Sequence, residues 1–299
     1  MNIGDKWNNW TIDELLGEGQ FGKVYRLVRT GFVRRYEAAL KVIRIPQDEA
    51  EYRSIKSENT SEEAIANYYR SVIEQIIDEC SVKYDFKGSG HIVSYEGYSV
   101  EKIKDGFGWE ICIQMELLTP LVRYLRDHPA TEQDVIRMGI DICKALEICQ
   151  KHNIIYRDIK PENIFVSKQG DFKLGEFGIA RCMENATTVV SRIGAATHLA
   201  PEIYKERPYN STVDIYSLGL LMYRLMNHYR MPFLPAYPQQ ITFKDKDRAM
   251  QLRMESALLP LPDQASEELA AIILRACALD PDKRYATASE MRLALENIL

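Results

Sequence analysis

The segment Tyr156-Arg-Asp-Ile-Lys-Pro-Glu-Asn163 (YRDIKPEN) is the stretch of this 299-residue chain from which its fold and function are read. It brings a carboxylate, an ammonium and an amide together within six residues, at Asp158, Lys160 and Asn163, and Pro161 stiffens the backbone between them. Apolar residues flank the segment on both sides. A plain polar loop between a helix and a strand would not need three different polar functions in this order, so the segment predicts a catalytic site.

A glycine-rich segment, Gly17-Glu-Gly-Gln-Phe-Gly-Lys-Val24, lies near the start of the chain. Dinucleotide-binding folds use the same G-x-G-x-x-G pattern, but their glycines open a helix. Here the glycines precede the strand-like residues VYRLVRTG, which predicts a turn between two strands. Such a glycine flap can cover phosphates closely because it lacks obstructing side chains. An ordinary tight hairpin explains the loop by itself equally well.

A lysine follows in the strand-like segment Ala38-Ala-Leu-Lys-Val42. A lysine in an alternating strand ordinarily faces solvent. Downstream of a glycine flap, however, the ammonium of Lys41 is suited to binding a phosphate.

The first hundred residues favour β-structure. Two strand-like runs on either side of Thr30-Gly31 predict a β-hairpin. Residues 92–100 and 109–118 predict two more strands, with a turn at Asp105-Gly106.

The remaining elements are mainly helical. Thr60-Ser-Glu-Glu63 has the pattern of a capping box and predicts a helix that ends near Phe86. Further helices are predicted at residues 213–227, at 267–279 and from about 288. One more is indicated by apolar residues at three- and four-residue intervals, namely Val135, Met138, Ile142, Leu146 and Cys149.

Composition excludes several classes of function. A net charge of −5 provides no basic excess to neutralise nucleic-acid phosphates. The six cysteines form no C-x-x-C pair, so we expect reduced thiols rather than a zinc site or a disulfide framework. No apolar run approaches the roughly 20 residues that span a bilayer, and the first residues show no signal-peptide core. We therefore expect a cytoplasmic protein without a membrane segment and without nucleic-acid binding.

Taken in order, these motifs resemble those of protein kinases, and most closely the eukaryotic-type serine/threonine kinases of bacteria. The motifs are the glycine loop, Ala39-Leu-Lys41, YRDIKPEN, KLGEFG (173–178), Ala200-Pro-Glu202, DIYSLG (214–219) and DPDKR (280–284). The resemblance covers the chain from about residue 10 to its carboxyl terminus. It implies an α+β, two-lobed protein-kinase fold over residues 10–299. A small β-rich N-lobe would span 10–115, a hinge 116–121 and a larger α-helical C-lobe 122–299.

The resemblance also implies where ATP binds. Lys41 would bind the α- and β-phosphates and pair with a helix glutamate, Glu79, with Glu74 as the alternative. The backbone of residues 116–118 would take the adenine. The implied ATP-binding residues are Gly17, Gly19, Gly22, Val24, Ala39, Lys41, Met115, Glu116, Leu118 and Phe165.

The catalytic roles are implied in the same way. Asp158 would accept the proton of the attacking hydroxyl, and Lys160 would neutralise charge on the γ-phosphate. Asn163 and Glu176 would hold the metal, Mg²⁺ or Mn²⁺. Glu176 occupies the place of the D-F-G aspartate of this family.

Other matched residues imply scaffolding and regulation. Asp214 and the pair of Glu202 with Arg284 would hold the catalytic loop and the helical lobe. Autophosphorylation could fall at Thr187, Thr188 or Ser191, with Arg157 as the partner of the phosphate, although these hydroxyls are equally well explained as solvated loop residues.

Four positions depart from the family pattern: Glu176 for aspartate, Tyr156 for histidine, Ala195 for threonine and Lys83 for a buried aliphatic residue. Glu176 matters most, because Mg²⁺ demands near-ideal octahedral geometry and the side chain is one methylene longer. Tyr156 can replace histidine in packing. The loss of the Ala195 hydroxyl should cost on the order of 1 kcal/mol.

These departures leave two main functions open. The first is ATP-dependent phosphoryl transfer to serine or threonine hydroxyls of a protein substrate, at a weak or conditional rate. The second is a pseudokinase that binds nucleotide and acts as a scaffold or allosteric partner. A small-molecule phosphotransferase is a third, less favoured alternative, because the A-P-E segment resembles a platform for protein substrates.

Overall fold

The structure is a computed structural model that describes most of the chain. The residues outside the description are 20–21, 49–50, 54–55, 57–60, 87, 104–107, 176–195 and 256–257, together with the side chains of 79–85 and 196. The described residues form two compact units. The first comprises Met1–Ser89 and Val93–Leu118, and the second comprises Gly90–Ile92, Thr119–Gly175 and 196–299. The first is built on a β-sheet and the second is mainly helical, which confirms the predicted α+β kinase fold.

An antiparallel six-stranded sheet forms most of the first unit, in the order β1-β2-β3-β4-β6-β5. Strands β3 and β4 pair from Lys23 opposite Val42 to Thr30 opposite Arg35, which confirms the predicted hairpin. The strands are β1 (Lys6–Trp7), β2 (Trp10–Gly19), β3 (Gly22–Thr30), β4 (Arg35–Ile45), β5 (Tyr95–Lys102) and β6 (Trp109–Met115).

On one face of this sheet, a buried cluster includes two tryptophans, one just before the predicted domain start and one at it. Trp7, in β1, pairs with Trp10 at the start of β2, and both indoles are buried. They pack in a cluster with alternate residues of the next strands, including Tyr25, Leu40 and Val42. Side chains alternate between the two faces along a strand. The side chain of Lys41 therefore points to the face opposite that of Leu40 and Val42, its neighbours in β4.

The long helix α1 (Glu62–Asp85) lies in the first unit at the predicted place. Its start differs slightly from the expectation, because the Ser61 hydroxyl accepts a hydrogen bond from the Ala64 N–H at 3.2 Å. This makes Ser61 the capping residue, one position after Thr60, which lies outside the described residues. The apolar face of the helix contributes Ile65, Tyr69, Val72, Ile73 and Ile76 to the core.

Helices dominate the second unit, around a small three-stranded sheet. The strands are β7 (Thr119–Pro120), β8 (Ile164–Val166) and β9 (Phe172–Leu174). The helices are α2 (Leu121–Asp127), α3 (Glu132–Lys151), α4 (Pro201–Tyr204), α5 (Thr212–Leu225), α6 (Phe243–Glu255), α7 (Glu267–Ala276) and α8 (Ala288–Glu296). None of the helices within the described ranges combines the length and the apolar character needed to cross a membrane.

The helix α3 shows how the local sequence specifies this unit. Thr131 and Asp134 form a capping box at its start, in which each side chain binds the other residue's backbone N–H. The five apolar residues predicted to share one face are all buried. Cys143 and Cys149 on this helix, like Cys112 and Cys277, are buried free thiols, as predicted, and burial raises their pKa.

Candidate active site

The glycine-rich segment forms the turn between β2 and β3. Gly17 pairs with Val24 and Gly19 pairs with Gly22, so the glycines do not open a helix. This arrangement confirms the predicted strand–turn–strand context, with Gln20 and Phe21 outside the described residues. Gly22 has a φ of +132° and lies so close to β4 that an added Cβ would be 2.1 Å from the Val42 carbonyl oxygen. Only glycine fits there, because the backbone conformation and the close approach both exclude a side chain.

We expect Gly22→Ala to destabilise the first unit by on the order of 1–3 kcal/mol, since the methyl group must displace strand backbone and adopt a disfavoured φ. The free energy of unfolding, measured with urea, checks this. Gly17→Ala is the matched control, because an added Cβ there has no atom within 4 Å and Gly17 has no positive φ. Equal losses in the two variants would contradict the steric explanation.

Four residues predicted to bind ATP share one face of the sheet. Val24 lies opposite Lys41 in the β3–β4 pair, and Ala39 lies opposite Met115 in the β4–β6 pair. Ala39 and Lys41 are two residues apart and therefore point to the same side. Lys41 is only 5% exposed, which rules out the solvent-facing lysine of an ordinary strand. A buried ammonium needs an anionic partner, which is consistent with the predicted role of Lys41 in binding phosphate.

The glutamate partner of Lys41 lies on α1 by prediction. Glu79 comes three residues after the buried Ile76, so its position continues the apolar face of the helix, although its side chain is outside the described residues. Glu74, the alternative, is exposed. At the predicted hinge, the Glu116 N–H donates to the Ser94 carbonyl at 3.1 Å, and its carboxylate accepts from the Ser94 N–H at 2.7 Å. These bonds fix the backbone of the segment predicted to contact adenine, which continues to Leu118.

In the second unit, the start of α5 holds the catalytic segment. The buried carboxylate of Asp214 accepts the backbone N–H groups of Tyr156 at 2.8 Å and Arg157 at 2.6 Å. Arg157 has a φ of +67°, a left-handed conformation that a non-glycine residue adopts only where its surroundings hold it. Burial raises the pKa of Asp214 to about 7, and the Tyr156 N–H opposes that rise. Asp214 therefore acts as a clamp on the backbone just before Asp158.

Lys160 and Asn163 both contact one carboxylate oxygen of Asp158. The Asn163 amide nitrogen donates to Asp158 Oδ2 at 2.6 Å and to the Asp158 carbonyl at 2.9 Å. Lys160 Nζ lies 2.9 Å from the same Oδ2. Pro161 opens a single 3₁₀ turn that ends at Asn163 and brings the amide back to Asp158. The predicted catalytic loop is thus a compact hydrogen-bonded constellation with all three groups in contact.

Asn163 retains one hydrogen-bonding group for a metal. Both of its described side-chain bonds use the amide nitrogen, and within the described residues its Oδ1 has no hydrogen-bond partner. An amide oxygen is the kind of hard ligand that Mg²⁺ and Mn²⁺ bind. This donor fits the predicted metal role.

Two bonds tie the start of the KLGEFG motif to the catalytic loop. The Gly175 N–H donates to the Asn163 carbonyl at 2.9 Å, and the Tyr156 hydroxyl donates to the Gly175 carbonyl. Sequence reasoning gave Tyr156 a packing role only, and its buried ring is consistent with that. Its hydroxyl adds a polar anchor immediately before Glu176. The signal was available in the sequence, since a buried tyrosine usually finds a hydrogen-bond partner.

The predicted pair of Glu202 and Arg284 is a buried, bidentate ion pair. Arg284 Nη1 lies 2.6 Å from Glu202 Oε1, and Arg284 Nη2 lies 2.9 Å from Oε2. The guanidinium also stacks on the Tyr216 ring at 4.8 Å and donates to three backbone carbonyls. These contacts join α4, α5 and the 3₁₀ turn before Arg284, which supports the scaffold role implied by the family resemblance.

Two residues near this loop were missed by sequence reasoning. His198 is buried, and burial, followed by the charge of Arg224, lowers its pKa to about 3, so it stays neutral. Its carbonyl accepts the Ser217 hydroxyl at 2.9 Å, which links the A-P-E segment to α5. Tyr209 lies under the guanidinium of Arg157 at 5.1 Å. Neither residue belongs to a motif, so nothing short-range in the sequence marked them.

Several predicted positions lie outside the described residues. They are Glu176, Thr187, Thr188, Ser191 and Ala195, and the side chains of Glu79 and Lys83. Phe165, predicted to bind ATP, lies in β8 of the second unit and pairs with Lys173 and Pro120.

A cavity of about 540 Å³ in the first unit does not coincide with the predicted nucleotide site. Its lining includes Tyr25, Val42 and Arg44. Val42 is adjacent to Lys41 in β4, so the cavity lies on the opposite face of the sheet. The glycine-rich segment belongs to both the cavity and the predicted nucleotide site, because Gly19 and Gly22 also border this cavity.

Comparison with known proteins agrees with the motifs. The family model for the protein kinase domain matches residues 10–294. The serine/threonine-protein kinase PknB of Mycolicibacterium smegmatis is 34% identical over 175 residues, which is 56% of this chain and 27% of that protein. A probable serine/threonine-protein kinase of Streptomyces coelicolor is 35% identical over 169 residues, or 55% and 24% of the two chains. The matched segments thus span about a quarter of these relatives.

Proposed function

Because the chain belongs to the protein kinase domain family, we propose that it transfers the γ-phosphate of ATP to serine or threonine hydroxyls of a protein substrate. The observation that carries the proposal is the contact of Asp158 with both Lys160 and Asn163. Lysine two residues after the aspartate resembles the serine/threonine kinases rather than the tyrosine kinases. The names of the similar bacterial proteins support the same class of acceptor.

Each residue of the constellation has a role in this proposal. Asp158 takes the proton from the acceptor hydroxyl as the oxygen attacks phosphorus, and the nucleotide keeps the electrons of the broken bond. Lys160 offsets charge on the transferred phosphoryl group, while its bond to Oδ2 orients Asp158. Lys41, on the same face of the first sheet as Val24 and Ala39, holds the α- and β-phosphates.

A divalent metal, Mg²⁺ or Mn²⁺, would neutralise phosphate charge when bound. Asn163, through its amide oxygen, and Glu176, through its carboxylate, are the residues we propose to hold it. The bonds from Asn163 and Tyr156 to Gly175 fix the backbone just before Glu176.

Transfer of labelled phosphate from ATP with Mg²⁺ or Mn²⁺ tests the proposal, with the chain itself and a generic protein as acceptors. Mass spectrometry of the products identifies the modified hydroxyls. Phosphoserine or phosphothreonine that depends on Asp158 supports a serine/threonine kinase. Thr187, Thr188 and Ser191 are the proposed autophosphorylation sites, and Arg157, now stacked on Tyr209, is the proposed partner of that phosphate.

A pseudokinase is the second candidate, and Glu176 is the observation that favours it. It would bind nucleotide and act as a scaffold or allosteric partner. Thermal stabilisation by ATP without transfer to any acceptor would support it. The third candidate, a small-molecule phosphotransferase, would show transfer to a small alcohol but not to a protein.

We expect Glu176→Asp to raise the transfer rate with Mg²⁺, up to on the order of 100-fold, because it restores the shorter metal ligand. The initial rate of phosphate transfer at saturating ATP measures this. Glu162→Asp is the matched control, since Glu162 is an exposed glutamate of the same catalytic segment. An unchanged rate in Glu176→Asp would show that the extra methylene does not limit the enzyme.

A further inference from the structure

The hairpin between β3 and β4 ends in an apolar tip, formed by Phe32 and Val33. Phe32 is 106% exposed and Val33 is 90% exposed, which makes them the two most exposed large apolar side chains in the described part of the chain. The Gly31 N–H donates to the Arg34 carbonyl at 2.9 Å and closes the turn beneath them. The tip is therefore convex and held by the strands on either side, with its two side chains directed away from the core.

Two arginines, Arg29 and Arg34, flank the base of this tip and are called the basic collar. The Arg29 guanidinium lies over Trp10 at 4.7 Å and over Tyr36 at 5.3 Å, and that of Arg34 lies over Tyr36 at 4.7 Å. Stacking on a ring orients a guanidinium but leaves its positive charge intact. Within the described residues neither arginine pairs with a carboxylate, whereas Arg26 and Arg35 both pair with Asp13.

We propose that the apolar tip inserts into the surface of an anionic lipid bilayer, with the basic collar on the lipid phosphates. A shallow interfacial contact of this kind buries a few apolar side chains and adds electrostatic attraction. Tyr36, over whose ring both arginines lie, has the amphipathic side chain that favours the headgroup region. An anionic lipid surface attracts each nearby arginine. The collar should therefore favour an anionic bilayer over a neutral one.

The tip is remote from the glycine loop along β3. Thr30 lies eight positions after Gly22, which places the two ends of the strand roughly 26 Å apart. Changes at the tip should therefore leave nucleotide binding intact, so a failure of this proposal is distinguishable from a failure of the proposed kinase activity.

Sedimentation of the 299-residue chain with lipid vesicles tests the proposal. The vesicles are phosphatidylcholine alone and a roughly two-to-one mixture of phosphatidylcholine and phosphatidylglycerol. We expect binding to the mixture, and binding that falls with added salt. The double variant Phe32→Ser/Val33→Ser should weaken binding at least about tenfold. Replacing Arg29 and Arg34 by glutamine should weaken it about fivefold for each charge removed.

Phe243→Ser is the matched control, since Phe243 is 84% exposed at the start of α6, far along the chain from the hairpin. It should bind vesicles as the unchanged chain does, and thermal unfolding should show that all variants fold. The proposal is overturned if the unchanged chain does not sediment with the anionic vesicles, or if the tip variant sediments equally well. Equal binding to both kinds of vesicle would overturn the role of the collar. Loss of a protein partner by the tip variant, without any vesicle binding, would instead identify a protein-docking surface.

Discussion

Asp158→Asn should lower phosphate transfer by about 100- to 10,000-fold, because proton acceptance at a positioned carboxylate typically contributes that much to the rate. Asparagine keeps an oxygen that can accept from Asn163 and Lys160, so the loop should keep its geometry. The variant therefore removes the base without removing its surroundings. The initial rate of transfer to a protein acceptor is the measurement, and ATP-induced thermal stabilisation should be retained.

Asp171→Asn controls for a general effect of losing one carboxylate. Asp171 lies in the turn before β9, where it binds Ser167, and has no proposed part in catalysis. We expect its transfer rate to be unchanged within twofold or so. Transfer that survives in Asp158→Asn at the level of the unchanged chain would exclude Asp158 as the base. An unchanged chain that binds ATP but transfers nothing would favour the pseudokinase.

Most of the fold could be predicted from local patterns. The β3–β4 hairpin follows from two strand-like runs around Thr30-Gly31, and α3 follows from the spacing of its apolar residues. These signals are short-range and strong. The ends of strands were predicted less well. Strand β5 begins at Tyr95 rather than at residue 92, because Ile92, which belongs to the second unit, bridges to Leu174 of that unit. A pairing between distant parts of the chain leaves no trace in a local pattern.

The covering of one sheet face by Trp7 and Trp10 is a second feature that the motifs did not reveal. The predicted domain began at residue 10, yet the paired strands start at Lys6. A two-residue strand is too short to show alternation, and its burial depends on partners up to about a hundred residues away, such as Cys112. Patterning cannot report such contacts.

The sequence predicted which residues form the candidate site better than it predicted their hydrogen bonds and geometry. Motif spacing named Asp158, Lys160 and Asn163, and the structure places these three in contact. The bond from Tyr156 to Gly175 was not predicted, because a motif records residue types and not hydrogen bonds. Glu176 stays a prediction. Its role depends on where one extra methylene places a carboxylate, and sequence spacing does not determine that position.

Arg284→Met should destabilise the second unit by about 3–5 kcal/mol, the usual cost of leaving one partner of a buried ion pair uncompensated. The Arg284 side chain is 0% exposed and that of Glu202 is 8% exposed, so water cannot replace the lost guanidinium. The backbone carbonyls of Thr212, Ala278 and Leu279 would lose a donor as well. Urea unfolding measures the free energy. Arg275→Met is the matched control, because its pair with Glu290 is about half exposed and should cost no more than about 1 kcal/mol.

The double variant Glu202→Leu/Arg284→Met distinguishes the stabilisation by the ion pair from the cost of leaving one buried charge without its partner. If the loss in Arg284→Met comes mainly from an unpaired buried carboxylate, removing that carboxylate should recover a large part of the lost stability. Glu202→Leu alone should be strongly destabilising, because it strands the guanidinium on the ring of Tyr216 with only carbonyl partners. Additive losses in the two single variants would mean that packing, and not charge pairing, governs this contact. In that case the packing of the Arg284 guanidinium on the Tyr216 ring would be its main contribution to the scaffold.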